Sequence, residues 1–205
     1  MTVSGWSRDD PFSDVLERWL KADSTKTLGA MNDVFGDKSF AVTILLLMFV
    51  PALPLPTGGV THVFEAITVL LAAQMVLGRR SIWLPVRWRE RELGGLASGK
   101  ALPFIVRRIR QVERFSHPRG AELVKHPLVM RAIGLVFLAF AVGAAFAPPF
   151  SGLDTLPALG AVAVALGIIL EDVVILAIGI ALGAGGILLI LTIGAAVVRL
   201  LRSLF

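Results

Sequence analysis

The chain contains no cysteine and no tyrosine, and only three of its 205 residues are histidine. Without cysteine there are no disulfides, no thiol nucleophile and no thiolate metal site. Three dispersed histidines without an HExxH spacing give a metal enzyme no support. Charge is scarce as well: Asp, Glu, Lys and Arg make up 17% of the chain, where a soluble domain carries about a quarter. What fills the space is apolar, with 56% hydrophobic residues and a mean hydropathy of +0.79.

The few charges are also segregated. None occurs from Ser39 to Phe64, from Ala132 to Leu153 or from Val173 to Val198. The last two runs are each long enough to cross a hydrocarbon core of about 30 Å, which predicts an integral membrane protein. The N-terminal "MTVSGWSRDDPFSD" has acidic residues where a secretory signal needs a basic start and an apolar core, so no cleaved leader is expected. Between Arg79 and Arg131 stand 13 Lys and Arg against 4 Glu, a net of +9 in a chain whose total is +5. The excess of positive charge places this segment in the cytoplasm. Such a loop has this composition by default, so nucleic acid is not expected as a partner.

Amphipathic pieces flank the first apolar block. Asp10-Pro11 predicts a helix start, after which Phe12, Val15, Leu16, Trp19 and Leu20 recur at helical spacing. Leu28, Met31 and Phe35 continue the pattern until Gly36-Asp37 ends it. In the basic segment Leu102, Ile105, Val106, Ile109 and Val112 form one stripe, with Arg107, Arg108, Arg110 and Arg114 around it. This helix is expected to lie on the lipid headgroups, with Arg79, Arg80, Trp83 and Trp88 at the interface. The organisation expected is 1–37 as N-terminal amphipathic cytoplasmic helices, 38–78 as a first membrane hairpin, 79–127 as the basic cytoplasmic segment, and 128–205 as a second hairpin with one or more C-terminal helices.

The two hydrophobic halves repeat at an offset of 93. Pro56 then faces Pro149, Gly59 faces Gly152, Val69 faces Val162, Ala72 faces Ala165 and Leu77 faces Leu170. In each half an apolar helix runs into a Pro/Gly break, a second apolar helix follows, and a charged pair ends it: Arg79-Arg80 or Glu171-Asp172. Weak internal repeats joined at broken helices recur in membrane transporters. The breaks contain Pro54, Pro56, Gly58 and Gly59 in one half and Pro148, Pro149 and Gly152 in the other. The 13 residues from Lys38 to Val50 make roughly 20 Å of helix, short of the core thickness. Two readings fit: a break inside the membrane lining a wet cavity, or a tight turn between thin or tilted spans.

Two motifs are decoys. "GGLASGK" (Gly94 to Lys100) has P-loop spacing, but Ala101 stands where Mg²⁺ needs Ser or Thr and no strand precedes it. "GAGG" (Gly183 to Gly186) sits in an uncharged run; with Gly179, and with Gly160 and Gly167, it predicts small-residue packing faces within the chain or across a dimer. Four carboxylates remain. Asp154 reads first as the N-cap of the next helix, and Glu171-Asp172 as a water-facing junction. Glu65 is different: Thr61, His62 and Thr68 share its side of a helix, and His62 is its natural proton partner. An intramembrane carboxylate is by default a functional candidate, although a position two turns inside would also let it reach the interface. His117 and His126, beside prolines in the basic segment, read as surface residues.

"FGDKSF" (Phe35 to Phe40), the run to "PALPLPTGG", "GRRSIWLP" (Gly78 to Pro85) and "PPFSGL...PALG" resemble the ExoD family of bacterial exopolysaccharide-synthesis membrane proteins. Lys38 stands where that family usually has Arg, which keeps the charge and loses the bidentate fork. The resemblance implies an inner-membrane protein linked to cell-surface polysaccharide and brings no catalytic reaction or ligand set with it. The expectation is an all-α, polytopic helical membrane protein of two related halves, with Pro/Gly-broken hairpins and amphipathic interfacial helices. Its leading role is transport or assisted translocation of a lipid-linked sugar, an ion or protons; the alternative is a scaffold or regulator of the polysaccharide assembly machinery. No enzyme activity, cofactor or metal is expected. Expected partners are the bilayer, a second copy in a homodimer, and the polysaccharide machinery. For the C-terminal run, the positive-inside tendency favours a break near Gly183 to Gly186 and a return over a single crossing.

Overall fold

The structure, a computed structural model, describes residues 10–21, 34–53, 60–79, 81–83, 101–147 and 151–204. Among these, every regular element is helical: α1 (Phe12–Lys21), a 3-10 turn (Gly36–Lys38), α2 (Ser39–Phe49), α3 (Val60–Val76), α4 (Ala101–Glu113), α5 (Ala121–Lys125), α6 (Pro127–Ala145), α7 (Thr155–Ile169) and α8 (Val173–Leu204). The "GGLASGK" decoy and the "PLPTGG" and "PPF" parts of the two breaks lie outside the described residues.

The centre is α2. It is apolar all round, and all eleven of its residues are buried, which is the environment such a helix requires. At about 16 Å it is too short to cross a bilayer core alone. It packs on α7 and α3, while α3 packs chiefly on α6 and α7 chiefly on α8. Among the described residues two helices are long and apolar enough to cross a membrane, Pro127–Ala145 and Val173–Ala196, and only 33% and 22% of their most apolar stretches are buried inside the chain. Most of their residues are therefore not buried within the chain, and Leu128 and Leu135 on α6 and Ile178, Leu188 and Leu191 on α8 are exposed.

α7 and α8 form an antiparallel hairpin along a glycine seam. A side chain at Gly160 would run into the backbone of Gly183, one at Gly179 into Val164, one at Gly167 into Leu176 and one at Gly186 into Pro157. On α8 the buried positions Leu176, Gly179, Gly183 and Gly186 alternate in steps of three and four, as a helix–helix seam requires. The small-residue faces are thus occupied within the chain. The expected break near Gly183 to Gly186 is absent: α8 runs uninterrupted through all four residues. Close packing on α7 offsets the roughly 1 kcal/mol that a helical glycine costs.

The first amphipathic helix starts as expected after Pro11, with Phe12, Val15, Leu16 and Trp19 buried. The second does not lie flat on headgroups by its apolar stripe. Ile105, Val106 and Ile109 are buried inside the chain, and α4 packs against α1. Phe104 meets Phe49 at the far end of α2, with ring centroids 6.2 Å apart, while Glu113 at the other end of α4 accepts a hydrogen bond from the Ser13 N–H. The stripe found a complementary apolar stripe on α1, and Arg110 locks the pair by reaching Asp14 and Glu17, each at 2.9 Å. Lys21 and Arg110 hold the Glu17 carboxyl below its usual range.

α3 and α7 end alike. In α3 the Gly78 N–H bonds Met75 O and the Arg79 N–H bonds Gln74 O; in α7 the Glu171 N–H bonds Ile168 O and the Asp172 N–H bonds Gly167 O. Both are Schellman ends, whose closing residue must adopt a left-handed conformation. Gly78 has φ 75° and Glu171 has φ 55°. Of the Glu171-Asp172 junction, whose two charges suggested water, Glu171 lines a cavity and keeps part of its side chain exposed, while Asp172 is buried. Asp172 is 3% exposed and accepts from the N–H groups of His117 and Val174 at 2.9 Å and from the Ser116 hydroxyl at 3.2 Å. Burial pushes its pKa up, but these donors and the Ile175 N–H outweigh burial and hold it below the ordinary value.

Candidate functional site

Position and spacing on α3 produce the site. Thr61, Glu65 and Thr68, at i, i+4 and i+7, share one helical face, and all three are buried, Glu65 completely. His62, one turn before Glu65, keeps 42% of its side chain exposed and places Nδ1 2.8 Å from Glu65 Oε2. The other carboxylate oxygen, Oε1, is buried and has no hydrogen-bond partner among the described residues. Thr68 cannot supply one, because its hydroxyl donates to Phe64 O at 2.8 Å. Asp154, from the start of α7, lies close enough for its charge to act on Glu65. A buried carboxylate is thus linked outward through an imidazole, with a second carboxylate, Asp154, near enough to add negative charge. Such a set can hold a proton or a cation and pass a proton between buried and exposed positions.

Asp154 does not cap α7 as first read. It occupies the N-cap position with helical φ and ψ, and its side chain makes no capping bond. Gly152, two residues earlier, has φ 67° and open space around its α-carbon, so the second break turns through a conformation suited to glycine. Pro54, Pro56, Gly58, Gly59, Pro148 and Pro149 lie outside the described residues. Among the described residues no three His, Asp or Glu side chains gather to hold a metal ion.

The basic positions form no part of this cluster. Arg79 is exposed over the Trp83 ring, 5.9 Å from its centroid. Arg107 is exposed; Arg108 donates to Gln111 at 3.0 Å and lies over the Phe104 ring. Arg80 is outside the described residues. His117 and His126 are exposed, as read, and His126 Nδ1 accepts from the Leu128 N–H to cap α6. Two polar residues were missed. Gln74, 7% exposed, clips the chain after α3 by donating to Trp83 O at 2.8 Å and accepting from its N–H at 2.7 Å. Lys38 reaches across 133 positions to Glu171 Oε1 at 3.0 Å and donates to Ile169 O at 2.8 Å. An uncompensated glutamine inside an apolar helix could have flagged the first; only the repeat could have flagged the second.

The family model described as "Exopolysaccharide synthesis, ExoD" matches residues 12–192. The chain belongs to the ExoD family. Its relatives include the uncharacterised protein slr1875 of Synechocystis sp., 26% identical over 88% of this chain and 81% of that protein. Protein ExoD of Rhizobium meliloti is 29% identical over 73% of this chain, which spans 62% of that protein's length. No solved structure matches. The ExoD match covers the whole cluster on α3 and Asp154 before α7, as well as Lys38 and Glu171.

Proposed function

We propose that this protein is a polytopic inner-membrane protein that serves exopolysaccharide production by moving protons, or a cation coupled to them, through the cluster at the helix breaks. The observation that carries the reading is Glu65: completely buried, bonded through one oxygen to a half-exposed His62, and with its other oxygen without a partner among the described residues. A carboxylate kept in so apolar a place is costly, and a structural role would satisfy both of its oxygens.

Two related halves support the same reading. Shifted by 93, α3 covers 153–169 and α2 covers 132–142, so they fall on α7 and within α6. Exchange of the halves also turns the α2·α7 packing into the α6·α3 packing, both of which are present. Glu65 and Asp154 then lie near the beginnings of the two equivalent helices, next to the breaks, where repeat-built transporters keep their sites. α2 ends before crossing a bilayer core, which favours a re-entrant break over a plain turn.

The alternative, a scaffold for the assembly machinery, draws on the exposed Arg107 and Arg108. The test is polysaccharide output across pH in cells. Under the transport reading Glu65→Gln lowers output or removes its pH dependence while Arg107→Ala with Arg108→Ala does not. The reverse pattern supports the scaffold.

A further inference from the structure

The offset of 93 that relates α3 to α7 also relates two contacts between helices. Lys38, at the start of α2, corresponds to Arg131, in the second turn of α6; Glu171, after α7, corresponds to Gly78, after α3. Lys38 Nζ lies 3.0 Å from Glu171 Oε1. The Arg131 guanidinium packs on Gly78 so closely that a β-carbon there would lie 2.7 Å from Nη2. In each case a cation from the first helix of one half sits on the Schellman end of the second helix of the other half, where the helix C-terminus attracts positive charge.

The two copies differ in one respect. Gly78 adopts its left-handed φ without cost, whereas Glu171 is the one non-glycine residue with positive φ among the described residues. A strained residue persists where its side chain is used. The carboxylate of Glu171 turns a plain cation-on-helix-end contact into a cross-half ion pair, and its side chain is only 16% exposed, so water screens the pair weakly. The Lys38–Glu171 pair also forms one wall of a cavity of about 600 Å³, whose other walls are Ser13 and Asp14 of α1 and Glu113 and Arg114 at the end of α4. Lys38 is the residue at which α2 begins, and every residue of α2 is buried.

We propose that these contacts are two copies of one latch, of which Arg131 on Gly78 is the fixed pivot and Lys38–Glu171 the breakable copy that controls access from the 600 Å³ cavity to the buried α2 face. The device rests on the transport reading for its purpose, not for its existence: it would close the end of the bundle remote from Glu65 while His62 stays exposed at the other.

The natural absence of cysteine makes a single introduced thiol a clean reporter. Thr43→Cys places one on α2 at a completely buried position one turn beyond Ser39, and its rate of labelling by a small neutral maleimide is measured on the full chain in detergent. Glu171→Gln, which removes only the charge, and Glu171→Gly, which also relieves the left-handed backbone, should each raise the labelling rate about tenfold, the worth of one charged hydrogen bond. Lys38→Arg, which preserves the pair, should leave it unchanged. If the Glu171→Gly protein keeps its elution volume and labels no faster than the parent, the latch is overturned; if it fails to fold, the Glu171→Gln and Lys38→Arg rates decide in the same sense. Faster labelling without any proton movement by the parent protein would keep the latch and remove the transport reading. Proton movement that needs Glu65 while labelling ignores Glu171 would do the opposite.

Discussion

Two helix pairs of the bundle, α2 with α3 and α6 with α7, differ in chemistry. α2 and α3 carry Ser39, Thr43, Thr61, Glu65, Thr68 and Gln74 as buried polar residues, whereas α6 and α7 bury none. The second half spends its positions on packing: glycines on α7 let α8 approach to backbone contact, and α8 faces outward over most of its length. One half is built to hold polar groups in an apolar surrounding, the other to hold the shape. The two demands can separate because α2 packs on α7 and α3 packs on α6, so each helix pair supports the other. Variants that remove packing should therefore act most strongly in the second half, and variants that remove chemistry in the first.

The largest effect is expected at the glycine seam. Gly179→Leu with Gly183→Leu drives side chains into the backbone of α7 and the Phe140 ring, at a cost of about 1–3 kcal/mol or more per site. The double variant should lose the folded peak in size exclusion. An unchanged elution volume and melting temperature would break the contrast between the halves.

Next comes Asp172, which ties the α7–α8 junction to Ser116 and His117. Asp172→Asn should cost about 2 kcal/mol, the scale of a charged hydrogen bond. Its native pKa is depressed, so its contribution is complete above the unfolded value of about 3.9 and is lost as pH falls through the lower native value. The melting temperatures of parent and variant should thus differ at pH 7 and converge as the pH is taken below 4. A constant gap would remove Asp172 as the cause.

Gln74→Ala breaks the clip on Trp83 and should cost about 1 kcal/mol, read as a shift in thermal unfolding. Smallest of all, Arg107→Ala with Arg108→Ala should change stability by less than about 0.5 kcal/mol, since both side chains are exposed.

Much of this frame was legible in the residues because periodicity and glycine spacing report directly on packing. The stripe of α1, the Gly160/Gly167 and Gly179/Gly183 faces, and the beginning and end of α3 and α7 all follow from local pattern. The partner of a stripe does not: Ile105 and Ile109 looked ready for lipid, yet the complementary stripe lay on α1, some 90 positions away. The same limit explains Glu171-Asp172. Two adjacent charges usually mark water, and only the fold brings Lys38, Ser116 and the His117 N–H to neutralise and hydrogen-bond them. At the site, helical spacing put His62 beside Glu65, whereas the completeness of Glu65 burial and the approach of Asp154 depend on packing across the halves.

The central claim is that Glu65 moves a proton, and proton flux into liposomes tests it most directly. Purified protein is reconstituted with a pH-sensitive dye inside the vesicles, and a pH step is imposed outside. The parent protein should carry protons above the rate of empty vesicles. Glu65→Gln, inserted to the same level, should lower that excess about a hundredfold, the scale of a lost positioned proton donor and acceptor. A Glu65→Gln flux equal to the parent's would contradict the account.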